Sequence, residues 1–382
     1  MANYQLSYDF ANIKRDLSEA YTKLVASQPT LIGRIRVGSP ATQTKHEWLE
    51  EQLNPTSSAI TSFDVNGDGT GVNVASTAGF TAGDIVRVTT STGATRTEVM
   101  RITSVDSSTD LTVSRDYGGS TGVTLDVGDI LVLMSSPKNE GTDPAVTKGT
   151  GEASVVFNYS QIDDEVAKVS KTLQVTGAYG ISNALNDAVE RKMLQLVRKQ
   201  NSALIYGRKV ARDASNAGSA GGILQFLEGG NVTAVGGALS SAAINNSFEA
   251  IFDDGAFSNN YMLVCAENQA RKISAFNTSG TNPVSQRAVT DRTTGGYVTT
   301  FISDLGAVNG FAADVFVDPN FPKDQLAILD MNRIEVNYLR PLADEDATLP
   351  GGDYFQRRML HEYTFTIRDG ARAHALLTGL TL

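Results

Sequence analysis

Cysteine and histidine are nearly missing from this 382-residue chain, which holds one cysteine, Cys265, and three histidines, His46, His361 and His374. A single thiol forms no intramolecular disulfide, so the sequence suits a reducing compartment. Cys265 lies in the apolar run YMLVCAEN with no histidine near it in sequence, which reads as a buried structural thiol rather than a nucleophile. No two histidines stand at metal-ligand spacing, so a zinc or iron site has too little to converge. Basic charge is also short: 32 Lys and Arg against 42 Asp and Glu leave a net charge of −10. That excludes a general basic field able to recruit nucleic acid or an anionic membrane. No stretch approaches the ~18 uninterrupted apolar residues of a membrane-spanning helix. The opening, MANYQLSYDFANIKRDL, places Asp9, Lys14, Arg15 and Asp16 where a signal peptide needs an apolar core.

Catalytic patterns are equally sparse. There is no GxxxxGK[ST], and the cluster NGDGTGV lacks both a following helix and the dinucleotide glycine spacing. NAGSAGG puts Ser219 after Gly218 but has Ala217 where a nucleophile elbow has glycine. The acidic groups Asp163-Asp164, Asp253-Asp254 and Asp344-Glu345-Asp346 read as solvated turns before general acid/base couples. No catalytic residue, cofactor site or metal site is assigned. The nearest approach to a cation loop is FDVNGDGTG, which places Asp64, Asn66 and Asp68 ahead of Gly69, as a calcium-binding EF-hand loop opens. Position twelve is Ala75 instead of glutamate, and the flanks read as strands, so the EF-hand reading fails. A looser cation loop at those three residues stands beside a plain hairpin turn built on Asn-Gly and Asp-Gly.

What is present is patterning. Hydrophobic residues make up 41% of the chain, enough for a sizeable core in two or three domains or one core with insertions. The spacing of Ile13, Leu17, Tyr21 and Leu24 predicts a short helix in an otherwise irregular N-terminal arm. TKHEWLEEQLNPTSS follows, with Pro55 as a stop. Residues 58–140 break into short alternating runs between Gly, Asp and Ser clusters, the signature of a compact all-β module. Within it AGDIVRVTT at 82 and VGDILVLMS at 127 echo one another, which reads as two equivalent strands rather than a true repeat. Beyond a turn-rich linker, Val169, Lys171, Leu173 and Val175 alternate with Ser170, Thr172, Gln174 and Thr176, predicting an extended strand. Residues 182–209 predict the longest helix, ~40 Å at ~1.5 Å per residue. Its apolar stripe is Leu185, Val189, Met193, Leu196, Val197 and Leu204, with acids early and Arg198, Lys199, Arg208 and Lys209 late. After it come helices at SSAAINNSFEAIFDDG and QARKISAF around a strand at NYMLVCAEN, then a loop around TDRTTGGY and a strand-rich close. The class is α+β.

The order of these pieces resembles the major capsid (major head) protein family of tailed bacteriophages. TKHEWLEEQL resembles the lead into that family's extended E-loop, and NYSQIDDEVAKVSKTLQVTGAYG its returning arm. LNDAVERKMLQLVRKQNSALI matches the spine helix in place and character. LAILDMNRIEVNYLRPL and HEYTFTIRDGARAHALLTGL are similar to the closing P-domain strands. His361 stands where that pattern usually has glycine, and Asp369-Gly370 replaces an asparagine-containing turn.

The resemblance implies an N-terminal arm over 1–44, E-loop arms over 45–57 and 141–180, and an inserted all-β domain over 58–140. It further implies a P-domain with the spine helix over 181–221 and 341–382, and an A-domain over 222–340. It implies a non-enzymatic subunit, made in the bacterial cytoplasm, that assembles as hexamers and pentamers into an icosahedral head. The expected partners are further copies of the chain, a portal, separate scaffold and decoration proteins, and enclosed double-stranded DNA bound without sequence specificity. Trp48, Glu50 and Glu51 are the expected intersubunit contacts near the E-loop base. The rival is a β-rich adhesin or glycan-binding protein working through 58–140. That module holds only Phe63, Phe80 and Tyr117 as aromatics, few for gripping sugars.

Overall fold

The computed structural model describes residues 30–51, 54–64, 69–141, 153–176, 183–276, 300–305 and 312–382. The helix expected around Ile13 to Leu24 and the TDRTTGGY loop lie outside them. The chain divides into two units, 49–155 and the remainder.

Strand β1 (Arg36–Val37) belongs to the larger unit, and β2 (Lys45–Glu50) runs from it past residue 48 into the smaller one. Six strands of the smaller unit follow: β3 (Ser57–Phe63), β4 (Gly71–Val74), β5 (Ile85–Thr89), β6 (Thr95–Val105), β7 (Asp110–Ser114) and β8 (Ile130–Ser135). They close into a barrel in the order β3-β4-β7-β6-β5-β8. Closure leaves no free strand edge. Inward positions alternate with outward ones, and Ile60, Val72, Val86, Met100 and Ile102 fill the interior with no measurable exposure beyond 1%. The chain returns through β9 (Ser154–Tyr159), which pairs with β2.

In the larger unit β10 (Gln161–Ser170) is followed by α1 (Lys171–Thr176), α2 (Ala184–Tyr206), α3 (Ile223–Leu227), β11 (Asn231–Ala234), α4 (Ser241–Asp253), β12 (Tyr261–Cys265) and α5 (Glu267–Ala275). Then come β13 (Thr300–Ile302), β14 (Ala312–Val317), β15 (Leu326–Asp330), β16 (Ile334–Asp346), β17 (Tyr354–Ile367) and β18 (Ala375–Thr378). Two sheets result, β11-β18-β15-β12-β14-β13 and β1-β16-β17-β10. The six-stranded sheet is covered on both faces, because successive side chains of a strand point opposite ways. Leu263 and Ile328 pack with Phe248 of α4 and Ile273 of α5. Their neighbours Val264 and Ala327 pack with Leu204 and Ile205 of α2 and with Leu31. The four-stranded sheet is dominated by the long hairpin of β16 and β17, with β10 paired along it from Gln161↔Tyr363 to Ser170↔Tyr354.

Two expectations are corrected. The strand alternation over 169–176 ends at Ser170, opposite Tyr354, the first residue of its antiparallel partner β17, and residues 171–176 turn into α1. Ser170 starts that helix by accepting the Leu173 amide on its hydroxyl at 3.2 Å, so a local cap wins once cross-strand bonds run out. The long helix spans 23 residues rather than 28, ~34 Å. Asn183 caps it by accepting the amides of Leu185 and Asn186 at 3.0 and 3.1 Å. It stops at Gly207, where a Cβ would collide with the carbonyls of Ala203 and Ala220. Arg208 and Lys209 therefore lie past the helix end. Val197 of the expected apolar stripe is exposed, while Gln200 and Asn201 are buried.

Candidate assembly surface

Around β2 in the larger unit, aromatic rings and lysines interleave. Trp48 on β2 stands 5.9 Å from the ring of Phe226 in α3 and 6.1 Å from that of His46. Lys209 sits over two rings, its Nζ 4.8 Å from Phe226 and 5.0 Å from Phe157, and Lys45 covers Phe157 at 4.3 Å. Each such contact contributes about 0.5–1 kcal/mol at exposed sites. Trp48 is thus half-buried against its own chain. Next to it Leu49 is 69% exposed, Glu50 is half-buried with its carbonyl accepting from Ser154 Oγ at 3.2 Å, and Glu51 is exposed.

Buried polar side chains pin the elements behind this surface. Asn158 on β9 donates to the carbonyls of Gly221 and Phe365 at 3.0 and 2.8 Å and accepts the Gly221 amide at 2.7 Å. Asn201 of α2 donates to Asp318 Oδ2 at 2.8 Å, and the same oxygen accepts the Leu31 amide at 2.9 Å. Glu362 on β17 takes hydrogen bonds from Ser160 at 2.8 Å, Arg212 at 3.0 Å and Arg340 at 2.9 Å. Burial pushes its carboxyl up, but those donors outweigh burial and hold it below the usual range. Glu165 on β10 is held low by Lys199 and Lys192 of α2, at 2.6 and 3.0 Å, tying helix to sheet. Sequence reasoning did not single out Asn158, Asn201 or Glu362 for such roles. The one available signal was the polar pair Gln200-Asn201 interrupting the stripe of α2.

The remaining candidates scatter. Asp64 closes the β3–β4 hairpin, donating its amide to the Gly71 carbonyl at 3.2 Å and accepting the Gly71 amide on its carboxylate at 2.9 Å. Asn66 and Asp68 lie outside the described residues. Among the described residues, no group of three or more His, Cys, Asp and Glu could hold a metal ion. No described helix is long and apolar enough to cross a membrane. Cys265 is buried in β12, and burial pushes its thiol up to about 12, which leaves it protonated and unreactive at neutral pH. His374 is also buried; its Nδ1 accepts the Asp330 amide at 3.0 Å, and burial lowers the imidazole to about 4. His361 packs edge-on against Tyr363, 4.8 Å between ring centres. Its side chain joins neither His46 nor His374 in a common site.

Comparison with known proteins places this arrangement. The native capsid of a GTA particle is 11% identical, covering 98% of each chain with a TM-score of 0.55. The capsid of cyanophage A-1(L) is 13% identical over 98% of each chain, at a TM-score of 0.53. At such low identity these neighbours show the fold alone: that of tailed-phage capsid proteins, carrying an additional small β-barrel. No curated protein matches the sequence. The sequence profile of SU10 major capsid protein matches residues 2–381, and with nearly every residue accounted for, the chain belongs to that family and is a structural subunit of a virion shell.

Proposed function

We propose that this chain is a non-enzymatic shell subunit whose function resides in its surfaces, and that it builds hexameric and pentameric capsomers of an icosahedral head around double-stranded DNA. The observation that carries the reading is the family match over residues 2–381. In this reading 1–44 is the N-terminal arm, 45–57 and 141–180 are the arms of the E-loop, and 58–140 is a domain inserted in it. The P-domain takes 181–221 and 341–382, and the A-domain 222–340. Scaffold and decoration proteins are separate chains, and a portal is a further partner. DNA is enclosed without sequence-specific contact: three of the four cations of α2 support this, since Arg191 pairs with Asp187 and Lys192 and Lys199 with Glu165. The family match favours a shell over an adhesin working through the barrel.

The contact near the E-loop base divides its labour. Trp48 positions β2 through Phe226, and Leu49, Glu50 and Glu51 meet the neighbouring subunit. Light scattering on a sizing column with negative-stain imaging tests the whole reading. Capsomers or megadalton shells are expected, unchanged by EDTA. A lasting 40.7 kDa monomer, with scaffold candidates added, would sink it. Trp48→Ala and the pair Glu50→Lys, Glu51→Lys should each lower the assembled fraction while the melting temperature of unassembled subunit moves by only a few degrees. Full assembly by all three removes the contact from this strand.

A further inference from the structure

The echo between residues 82–90 and 127–135 extends through the whole barrel. Its two halves, β3-β4-β5 and β6-β7-β8, have the same build: a hairpin, a longer connection and a third strand. The circular order β3-β4-β7-β6-β5-β8 is unchanged when β3 exchanges with β6, β4 with β7 and β5 with β8. The third strand of each half pairs with the first of the other, β5 with β6 and β8 with β3, while β5 pairs with β8 and β4 with β7.

The hydrogen bonds obey the same exchange. Gly83 donates its amide to the Ile102 carbonyl, and Ile102 donates to the Asp84 carbonyl, both at 2.8 Å. In the equivalent position Gly128 donates to the Ile60 carbonyl at 2.9 Å and Ile60 to the Asp129 carbonyl at 2.6 Å. The amide of Val74 reaches the Thr109 carbonyl at 2.7 Å, and that of Val113 reaches Thr70 at 2.8 Å. Each third strand is entered by the same turn, with φ +94° at Gly83 and +95° at Gly128. The following carboxylates, Asp84 and Asp129, are both 2% exposed and accept the amides of Thr81 and Asp126 at 2.7 and 2.9 Å. Core positions match as well: Ile60 with Ile102, Val74 with Val113, Phe80 with Leu125.

We propose that the barrel is an internal duplication of one three-stranded unit, residues 57–89 and 95–135, closed on itself as a module by exchange of third strands. Independent strands packed for closure alone have no reason to share a set of long-range bonds residue by residue. The physical chemistry also explains why so little likeness survives in the sequence. Core residues of similar character interchange at modest cost. A φ near +95°, in contrast, strongly favours glycine, and a buried carboxylate that accepts a turn amide has no apolar substitute. So the Gly-Asp turns persist and the rest drifts. The halves depart from symmetry in the connection after β7. Arg115 Nη2 and the Val123 amide of that connection donate to buried Glu98 of β6 at 2.6 and 2.9 Å, where the first half has Thr56 and Ser76 at the positions of Glu98 and Arg115.

The full-length chain tests this in two ways. Hydrogen exchange of the unmodified protein should give the matched amides Gly83 and Gly128, Ile60 and Ile102, and Val74 and Val113 protection factors that agree within about tenfold. Exchanging residues 80–86 (FTAGDIV) with 125–131 (LDVGDIL) should leave the barrel folded and protease-resistant. Exchanging only 81–84 with 126–129, which keeps Phe80 and Leu125 in place, separates backbone equivalence from core fit. Protection confined to one half, or unfolding of both exchanged chains, overturns the duplication. Unfolding of the longer exchange alone restricts the likeness to the turns and overturns it too.

Discussion

The barrel and the larger unit solve the problem of burying strands differently. Every barrel strand has one wet face and one dry face, and closure disposes of its edges. The larger unit keeps open sheets, buries several strands on both faces, and needs buried polar side chains to fix what packs where. Along β17, Met359 to Ile367 are buried without interruption, His361, Glu362, Thr364 and Thr366 among them. The lesson is that a closed barrel can be specified by local alternation, whereas stacked layers need agreement between residues far apart in the chain.

Four experiments test this contrast between the units. The largest effect is expected from Phe248→Ala, which empties the layer between α4 and the six-stranded sheet and should cost about 3–5 kcal/mol. Calorimetry should show loss in the transition of the larger unit, with barrel protease resistance unchanged. Glu98→Ala reverses the pattern. It strands the Arg115 guanidinium beside a buried site and should lower barrel stability by about 3 kcal/mol, read by proteolysis within 49–155.

Acid separates the units by a third route. His374 titrates near 4 when folded and near 6.5 when unfolded, so the unfolded chain binds the proton first as pH falls. Its contribution is complete above about 6.5 and is lost between there and about 4, up to ~3 kcal/mol from the larger unit. The barrel holds no histidine and should stay level from pH 6.5 to 5. Denaturant midpoints over that range decide it, and His374→Gln should flatten the slope. The smallest change is Gly128→Ala, about 1 kcal/mol in the barrel because alanine is strained at φ +95°. Gly83→Ala should match it.

The same contrast governs what was legible in advance. The barrel strands follow the alternation of apolar and polar residues closely. The long helix was legible from its stripe, but its ends were not: Asn183 and Gly207 set them, one through a side-chain cap and one through close backbone contact. Residues 171–176 misled because their alternation suits a strand and the ladder that would support one ends at Ser170. Around Trp48 the stacking on Phe226, 178 positions away by number (226 − 48), could not be read from neighbours.

Composition and local pattern were enough for the lack of an intramolecular disulfide, the acidic balance, the α+β class, the order of the elements and the resemblance to phage head proteins. These rest on composition and on periodicities that a strand or helix imposes over a few residues. Only the folded chain reveals that the echo at 82 and 127 joins equivalent strands of the barrel, that Asn158, Asn201 and Glu362 are structural pins, and that Trp48 packs on Phe226. Each depends on groups brought together across tens to hundreds of residues, where the cost of burying a polar atom is offset only by a partner that the fold supplies.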